Sequence, residues 1–389
     1  MKPLSNATQL PGSGIRRMFD LAGSKRDVIS FVLGEPDFTT PRHIIEATQK
    51  ALDEGKTHYT HNAGILELRE AISKHLLEHD GLLYDPDGEI LVSTGAMEVI
   101  YLCFAALLNP GDEVLITNPC YANYYGQIAM NHGVPVPVPV REEDGFNFTY
   151  QGMKEYITSK TKAILLNSPC NPTGSVAGLQ TMEDVAAIAR EYDLYVIYDA
   201  VYKHIIYDGN RYYNMAAFDG MRCRTLYVDS FSKTYAMTGW RLGYMAGPRE
   251  IVSLLPKLHE FMPSCVSTFS QYGAIEALKN GAGDIDAMCG EYAKRRKALL
   301  KEIEGIGGIS CRAPGGAFYV FLNIQETGLG SQEFAERLLE EYAVVVAPGN
   351  AFGSQGEGYV RLSYATSVEN IHAGMGRIKK FVESLKVNF

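Results

Sequence analysis

Ser230-Phe231-Ser232-Lys233-Thr234-Tyr235-Ala236-Met237-Thr238-Gly239-Trp240-Arg241-Leu242-Gly243 gathers two serines, a lysine and an arginine within twelve residues. The stretch follows an apolar run, Thr225–Val228, that reads as a strand. Hydroxyl donors and a guanidinium are what a phosphate ester requires, because arginine offers two parallel charge-assisted bonds. A lysine beside them can reach an aldehyde on the same ligand. A lone lysine would read as a solvated surface residue; the whole string is far more specific.

Working outward, short apolar runs alternate with helical stretches from about residue 89 onward. The expected strands are Ile90–Ser93, Val114–Thr117, Val134–Val138, Ala163–Asn167, Leu194–Tyr198, Thr225–Val228 and Gly243–Ala246. Several are apolar throughout, as in Ala163-Ile164-Leu165-Leu166, which suits a parallel sheet covered on both faces by helices. Helices are expected from near Gly95 until Pro110-Gly111 and over Glu183–Tyr192. The tail has a different rhythm. A charged helix over Tyr292–Gly305 leads to a strand at Phe318–Leu322 and a helix around Gln332–Tyr342. Short strands at Val344–Val346 and Val360–Tyr364 and a last helix from Val368 complete it. The fold class is therefore α/β with a smaller α+β domain. The boundaries expected are a large domain at 46–285, a small one at 286–389, and an N-terminal segment at 1–45.

The 389 residues carry 36 basic and 45 acidic side chains, a net charge of −9 with no basic face suited to nucleic acid. Seven scattered cysteines form no C-x-x-C pair, which argues against a disulfide framework or zinc site and for a reducing compartment. The histidines show no metal-ligand spacing. The stretch Met1 to Gly14 lacks the pattern of a signal peptide, and no apolar run is long enough to span a membrane. A cytoplasmic protein acting on small molecules is expected.

The lysine string resembles the pattern S-x-S-K-x-x-x-x-x-G-x-R-x-G of the class I aminotransferases, fold-type I enzymes that use pyridoxal 5′-phosphate (PLP). The resemblance extends from Gly34-Glu35-Pro36-Asp37-Phe38 to Arg361-Leu362-Ser363-Tyr364-Ala365. It implies a mostly parallel seven-stranded sheet, with the N-terminal segment packed on the small domain. It also implies that Lys233 carries PLP as a Schiff base and that Ser230, Ser232 and Arg241 hold the phosphate. Ser93-Thr94-Gly95-Ala96-Met97, between a strand and a helix, offers free backbone N–H groups to an anion. Such a turn is equally a plain helix start, but the family places Gly95, Ala96 and Met97 on the phosphate.

Asp199 ends an apolar strand, where α/β sheets bind ligands, and would stabilise a protonated pyridine nitrogen. Its simpler role would be an N-cap. By the same resemblance Tyr202 and Asn171 hydrogen-bond the phenolic oxygen, and Tyr121 stacks on the ring unless it is an ordinary core tyrosine. Tyr59 reaches the phosphate of a neighbouring subunit, which implies a homodimer with shared active sites. Arg361 grips the substrate α-carboxylate, with Asn171 and the backbone of Gly34 near the same group. Lys233, Asp199 and Tyr202 are the catalytic set, and no metal is expected. The substrates implied are an L-amino acid and a 2-oxo acid such as 2-oxoglutarate, exchanged by a ping-pong mechanism. Met97 stands where some acid-binding relatives have lysine, so aromatic or broad donor specificity is favoured. Arg16 and Arg17 remain candidate partners for a second carboxylate. An aspartate-preferring enzyme and a carbon–sulfur β-lyase are the alternatives; a PLP-sensing regulator would need an extra N-terminal DNA-binding domain, for which Gly34 comes too early.

Overall fold

Alternate residues of the central strands enter two different buried clusters. Ile164, Leu166, Val196 and Tyr198 join one, whereas Ala163, Leu165, Ile197 and Val228 join the other. Neither face of these central strands meets water, which is why these runs are apolar without alternation. The helix Ala96–Leu107 packs Val99, Leu102, Cys103 and Phe104 into the second cluster. On the opposite face the helix Leu179–Glu191 brings Met182, Val185 and Ile188 into the first.

The computed structural model describes residues 14–23 and 25–386. Apart from Gly14, the stretch in which no signal peptide was read therefore lies outside the described residues. In chain order the first strands are β1 (Ile29–Ser30), β2 (Ile90–Ser93), β3 (Glu113–Asn118) and β4 (Val134–Pro139). Next come β5 (Thr161–Asn167), β6 (Tyr195–Asp199), β7 (Thr225–Ser230) and β8 (Gly243–Ala246). All seven strands expected of the main sheet are present, in the order β2-β8-β7-β6-β5-β3-β4. The sheet is parallel except at β8, which runs antiparallel to both β2 and β7.

Strand β4 reads Val-Pro-Val-Pro-Val-Pro and sits at the sheet edge. Val134 N donates inward to Asp112 O at 2.8 Å, and Val140 N to Asn118 O at 3.0 Å. The three prolines lack an N–H, and only an edge strand tolerates that loss at alternate positions.

The later strands are β9 (Tyr319–Asn323), β10 (Val344–Val345), β11 (Ala347–Pro348) and β12 (Tyr359–Ser363). Strands β11, β12 and β9 form an antiparallel sheet in that order. The helices Ser331–Tyr342 and Val368–Lys386 accompany it. The helix Ala282–Glu304 spans residues 285 and 286, where the sequence suggested a domain boundary. Near the start, β1 pairs in parallel with β10, and Phe31 N donates to Val345 O at 2.9 Å. Ser363 N in turn donates to Phe31 O at 2.8 Å. The strand-like segment 29–34 is thereby stitched alongside β12, which carries Arg361.

Candidate active site

The parallel strands β5, β6 and β7 end at Asn167, Asp199 and Ser230, and Asn167 is in register with Asp199. Carboxyl ends of parallel strands are where open α/β sheets leave a crevice. A cavity of about 590 Å³ occupies that place. Asp199, Tyr202, Lys233, Arg241 and Arg361 line it, together with Gly34, Ala96, Met97, Tyr121, Asn171, Ser230 and Ser232. Of the residues singled out in the sequence, Gly95 lies just beneath this lining, packed against Arg241. Tyr59 stands apart from the cavity, 89 % exposed.

Gly95 adopts φ +115°, and a Cβ there would lie 2.5 Å from Arg241 Nη2. Gly243 is equally constrained, since its Cβ would meet the Gly95 and Ala96 backbone at 2.7 Å. The start of the helix Ala96–Leu107 and the Arg241 turn are thus in direct contact. Arg241 itself takes a left-handed conformation, φ +55°, and its Nη1 donates to Thr238 O at 2.9 Å. Ser230 caps the short helix Phe231–Thr234: its Oγ accepts from Ser232 N at 3.1 Å and donates to Leu242 O at 3.1 Å. The Ser232 hydroxyl has no partner among the described residues. Backbone amides, hydroxyls and a guanidinium converge here, as a phosphate ester requires.

Lys233 reaches across to the segment before β2, where its Nζ donates to Gly34 O at 2.6 Å. Burial lowers its pKa to about 8, opposed by Glu35 and reinforced by Arg361 and Arg241. About a tenth of the amine is therefore neutral at pH 7, far more than for an ordinary lysine, and this is the form that attacks an aldehyde or takes a proton.

Asp199 is buried, and burial raises its pKa to about 6, against the hydrogen bond from Tyr124 Oη at 2.6 Å. Val201 N contributes a weaker bond to Oδ1 at 3.3 Å. Only turns follow Asp199, so it caps no regular helix. A carboxylate so placed favours a cationic partner inside the cavity. Tyr124 was not singled out in the sequence, although it stands one helical turn beyond Tyr121. The Tyr121 ring meets Tyr124 edge-on, centroids 5.5 Å apart at 87°, and its hydroxyl accepts from Asn123 Nδ2 at 3.0 Å.

Arg361 is only 2 % exposed. Its Nη1 donates to Asn171 Oδ1 at 2.8 Å and its Nη2 to Val32 O at 2.6 Å. Among the described residues the Nε has no partner and no acid pairs with the guanidinium. The aromatic faces of Tyr319 and Phe352 lie 4.5 and 5.0 Å from it. Tyr319 is a second residue the sequence reading missed, hidden in the aromatic run Phe318-Tyr319-Val320-Phe321. Its hydroxyl meets Tyr202 Oη at 2.8 Å, and a Cβ on Gly34 would come within 2.5 Å of it. Gly34 is therefore a close-approach glycine: anything larger displaces Tyr319.

Arg16 and Arg17 separate. Arg16 lines the cavity with Ile15 and Phe19, and its Nε pairs with Asp20 at 3.0 Å. Arg17 turns outward to Glu336 at 2.6 Å.

Comparison with known proteins agrees with this geometry. The family model for aminotransferase class I and II matches residues 26–378. An aspartate aminotransferase of Pyrococcus abyssi is 45 % identical over 96 % of this chain and 97 % of its own. Aromatic-amino-acid aminotransferase 2 of Thermococcus litoralis is 42 % identical, with the same shares covered. The solved aromatic aminotransferase of Pyrococcus horikoshii superimposes with a TM-score of 0.91 at 44 % identity, covering 96 % of this chain and 99 % of that one. The chain belongs to the class I and II aminotransferases, enzymes that use PLP to move amino groups between amino acids and 2-oxo acids.

Proposed function

We propose that the enzyme transfers the amino group of a large apolar or aromatic L-amino acid to a dicarboxylic 2-oxo acid such as 2-oxoglutarate. The observation that carries the reading is Arg361, a buried guanidinium with no acid partner among the described residues, opening into the cavity that holds Lys233. Burying a cation without a counter-charge is costly, and a substrate carboxylate removes that cost.

The residues present fit PLP: the Gly95–Arg241 cradle takes its phosphate and Asp199 its pyridine nitrogen. Bound there, the cofactor supplies an electron sink for the substrate's α-carbon. Ser230, Ser232, Arg241 and the backbone of Gly95, Ala96 and Met97 hold the phosphate in this reading. Tyr121 covers the ring, while Tyr202 and Asn171 face the phenolic oxygen. Asp199 keeps the ring nitrogen protonated. Arg361 and Gly34 would orient the substrate carboxylate, and Lys233 Nζ would take the substrate's α-proton as general base and give a proton back as general acid.

Ile15, Phe19, Val32, Leu33, Met97 and Ile100 make much of the wall apolar, which supports a large apolar donor. Arg16 supports the acidic co-substrate: it lines the cavity, and its exposed pair with Asp20 is worth little. Tyr59, exposed on a single chain, supports a homodimer in which each site borrows this residue from its partner. The seven free cysteines support a cytoplasmic location; no helix among the described residues is long and apolar enough to cross a membrane. We also assign residues 46–285 to the large domain and 286–389 to the small one, with 1–45 attached to the latter.

The test is kcat/KM for phenylalanine against aspartate at fixed 2-oxoglutarate. The ratio should exceed one, and Arg16→Ala should depress 2-oxoglutarate and aspartate turnover while sparing phenylalanine. A ratio below one overturns the donor assignment.

A further inference from the structure

Behind Ser230, on the side away from the cavity, lies an ion pair that the chemistry above does not use. Lys203 Nζ and Asp229 Oδ2 are 2.9 Å apart, with side chains 3 % and 5 % exposed. Lys203 also donates to Tyr227 Oη at 2.8 Å. Asp229 Oδ2 accepts from Tyr227 Oη at 3.0 Å and Tyr244 Oη at 2.9 Å, and its Oδ1 accepts from Ser230 N at 2.7 Å. One carboxylate thus joins β7, β8 and the turn after β6. Asp229 is in register with Tyr244, and Ser230 with Gly243, so the joint sits at the base of the loop from Ser230 to Arg241.

The other groups facing the pair carry little charge. His75, from the helix Leu66–Asp80, and His204, from the turn, are pushed down to about 2 and about 3 by burial first and Lys203 second. Tyr227 and Tyr244 are held protonated by burial, as is Tyr235. Two further carboxyl groups act in this region: Asp80 on Tyr244, and Asp199, whose pKa is raised by burial first and the Asp229 charge as well. Lys203 is therefore the cation that offsets Asp229 directly behind the Ser230 turn.

We propose that Lys203 and Asp229 are positioning residues for the phosphate end of the cofactor site. Asp229 fixes the Ser230 backbone, and Lys203 cancels the carboxylate field so that an anion can be held one residue away. Without Lys203 a buried carboxylate would stand uncompensated behind a phosphate dianion. This inference rests on the proposed PLP site, but its test requires no turnover.

The cofactor-free protein is titrated by absorbance with pyridoxal 5′-phosphate and, separately, with pyridoxal, which lacks the phosphate. Lys203→Met should weaken pyridoxal 5′-phosphate at least about tenfold while pyridoxal changes less than about threefold. Asp229→Asn keeps an acceptor for Ser230 N and leaves Lys203 unopposed, so its preference for the phosphorylated ligand should match or exceed that of the wild type. A fall in phosphate preference in Lys203→Met with no fall in Asp229→Asn is the signature of the field. Equal loss of both ligands in Lys203→Met, or undisturbed phosphate preference in it, overturns the proposal. Should Lys203→Met fail to fold, Asp229→Asn decides alone, and a tenfold fall in its phosphate preference overturns the proposal. A wild-type protein that binds neither ligand would instead refute the PLP site itself.

Discussion

Replacing Arg361 by leucine removes the buried guanidinium while roughly keeping its apolar bulk between Tyr319 and Phe352. In the native chain Nη1 and Nη2 are each committed to one acceptor, Asn171 Oδ1 and Val32 O, and Nε is unsatisfied. A guanidinium so anchored can still offer a carboxylate two N–H groups. Charge-assisted hydrogen bonds contribute about 1.5–3 kcal/mol each, so losing two costs about 3–6 kcal/mol, or on the order of 10²–10⁴ in kcat/KM. The loss should appear for amino acid and 2-oxo acid alike, because both present a carboxylate beside the reacting carbon. Cofactor absorbance should persist, since Arg361 is hydrogen-bonded to Asn171 and Val32 rather than to the Gly95–Arg241 cradle. Maleate, an unreactive dicarboxylate, should raise the unfolding free energy of the wild type by about 2.7 kcal/mol at a hundredfold excess over its Kd. The variant should show no such rise. Arg361→Lys should fall between, because an ammonium cannot hold Asn171, Val32 O and a substrate carboxylate in one plane. An Arg361→Leu enzyme with unchanged KM for both substrates and an intact maleate response would refute the reasoning.

Two further outcomes follow from the same geometry. Asp199 has a folded pKa of about 6 against an ordinary value near 3.8, so the folded state holds its proton more tightly than the unfolded chain. Stability of the cofactor-free protein should therefore fall as pH rises through that window, by about 1 kcal/mol between about pH 5 and pH 7 from this group. Urea titrations should show that slope in the wild type and not in Asp199→Asn; equal slopes would contradict it. Mixing Tyr59→Phe chains with Lys233→Ala chains should restore activity as subunits exchange, because one hybrid site then carries both lesions and the other neither. A fully active monomer in sedimentation would rule out the shared site.

The main sheet was legible because a strand buried on both faces must be apolar at every position, as Ala163–Leu166 is. The tip of β6 was legible only through the family resemblance, since on its own a carboxylate closing an apolar run reads more simply as a helix N-cap. What stayed hidden depends on distant segments meeting. Tyr319 and Gly34 are far apart in the chain, and only folding brings the Tyr319 hydroxyl over the glycine. Nothing local marks Tyr124 as the donor to Asp199, nor Lys203 as the partner of Asp229. Arg16 and Arg17 are adjacent and chemically identical. Only the packing of the helix Gly14–Ala22, with Met18 buried, turns one toward the cavity and the other toward Glu336.

Covalent attachment of the cofactor at Lys233 is the claim on which the rest depends. Burial lowers this amine to about 8, and Lys233 lines the cavity with its Nζ donating to Gly34 O. Borohydride reduction of the PLP-loaded enzyme, followed by digestion and peptide mass mapping, reads the attachment directly. The account predicts the reduced cofactor's mass on a single peptide, at Lys233. Label on any other lysine, or none on the peptide containing Ser230-Phe231-Ser232-Lys233, would contradict it.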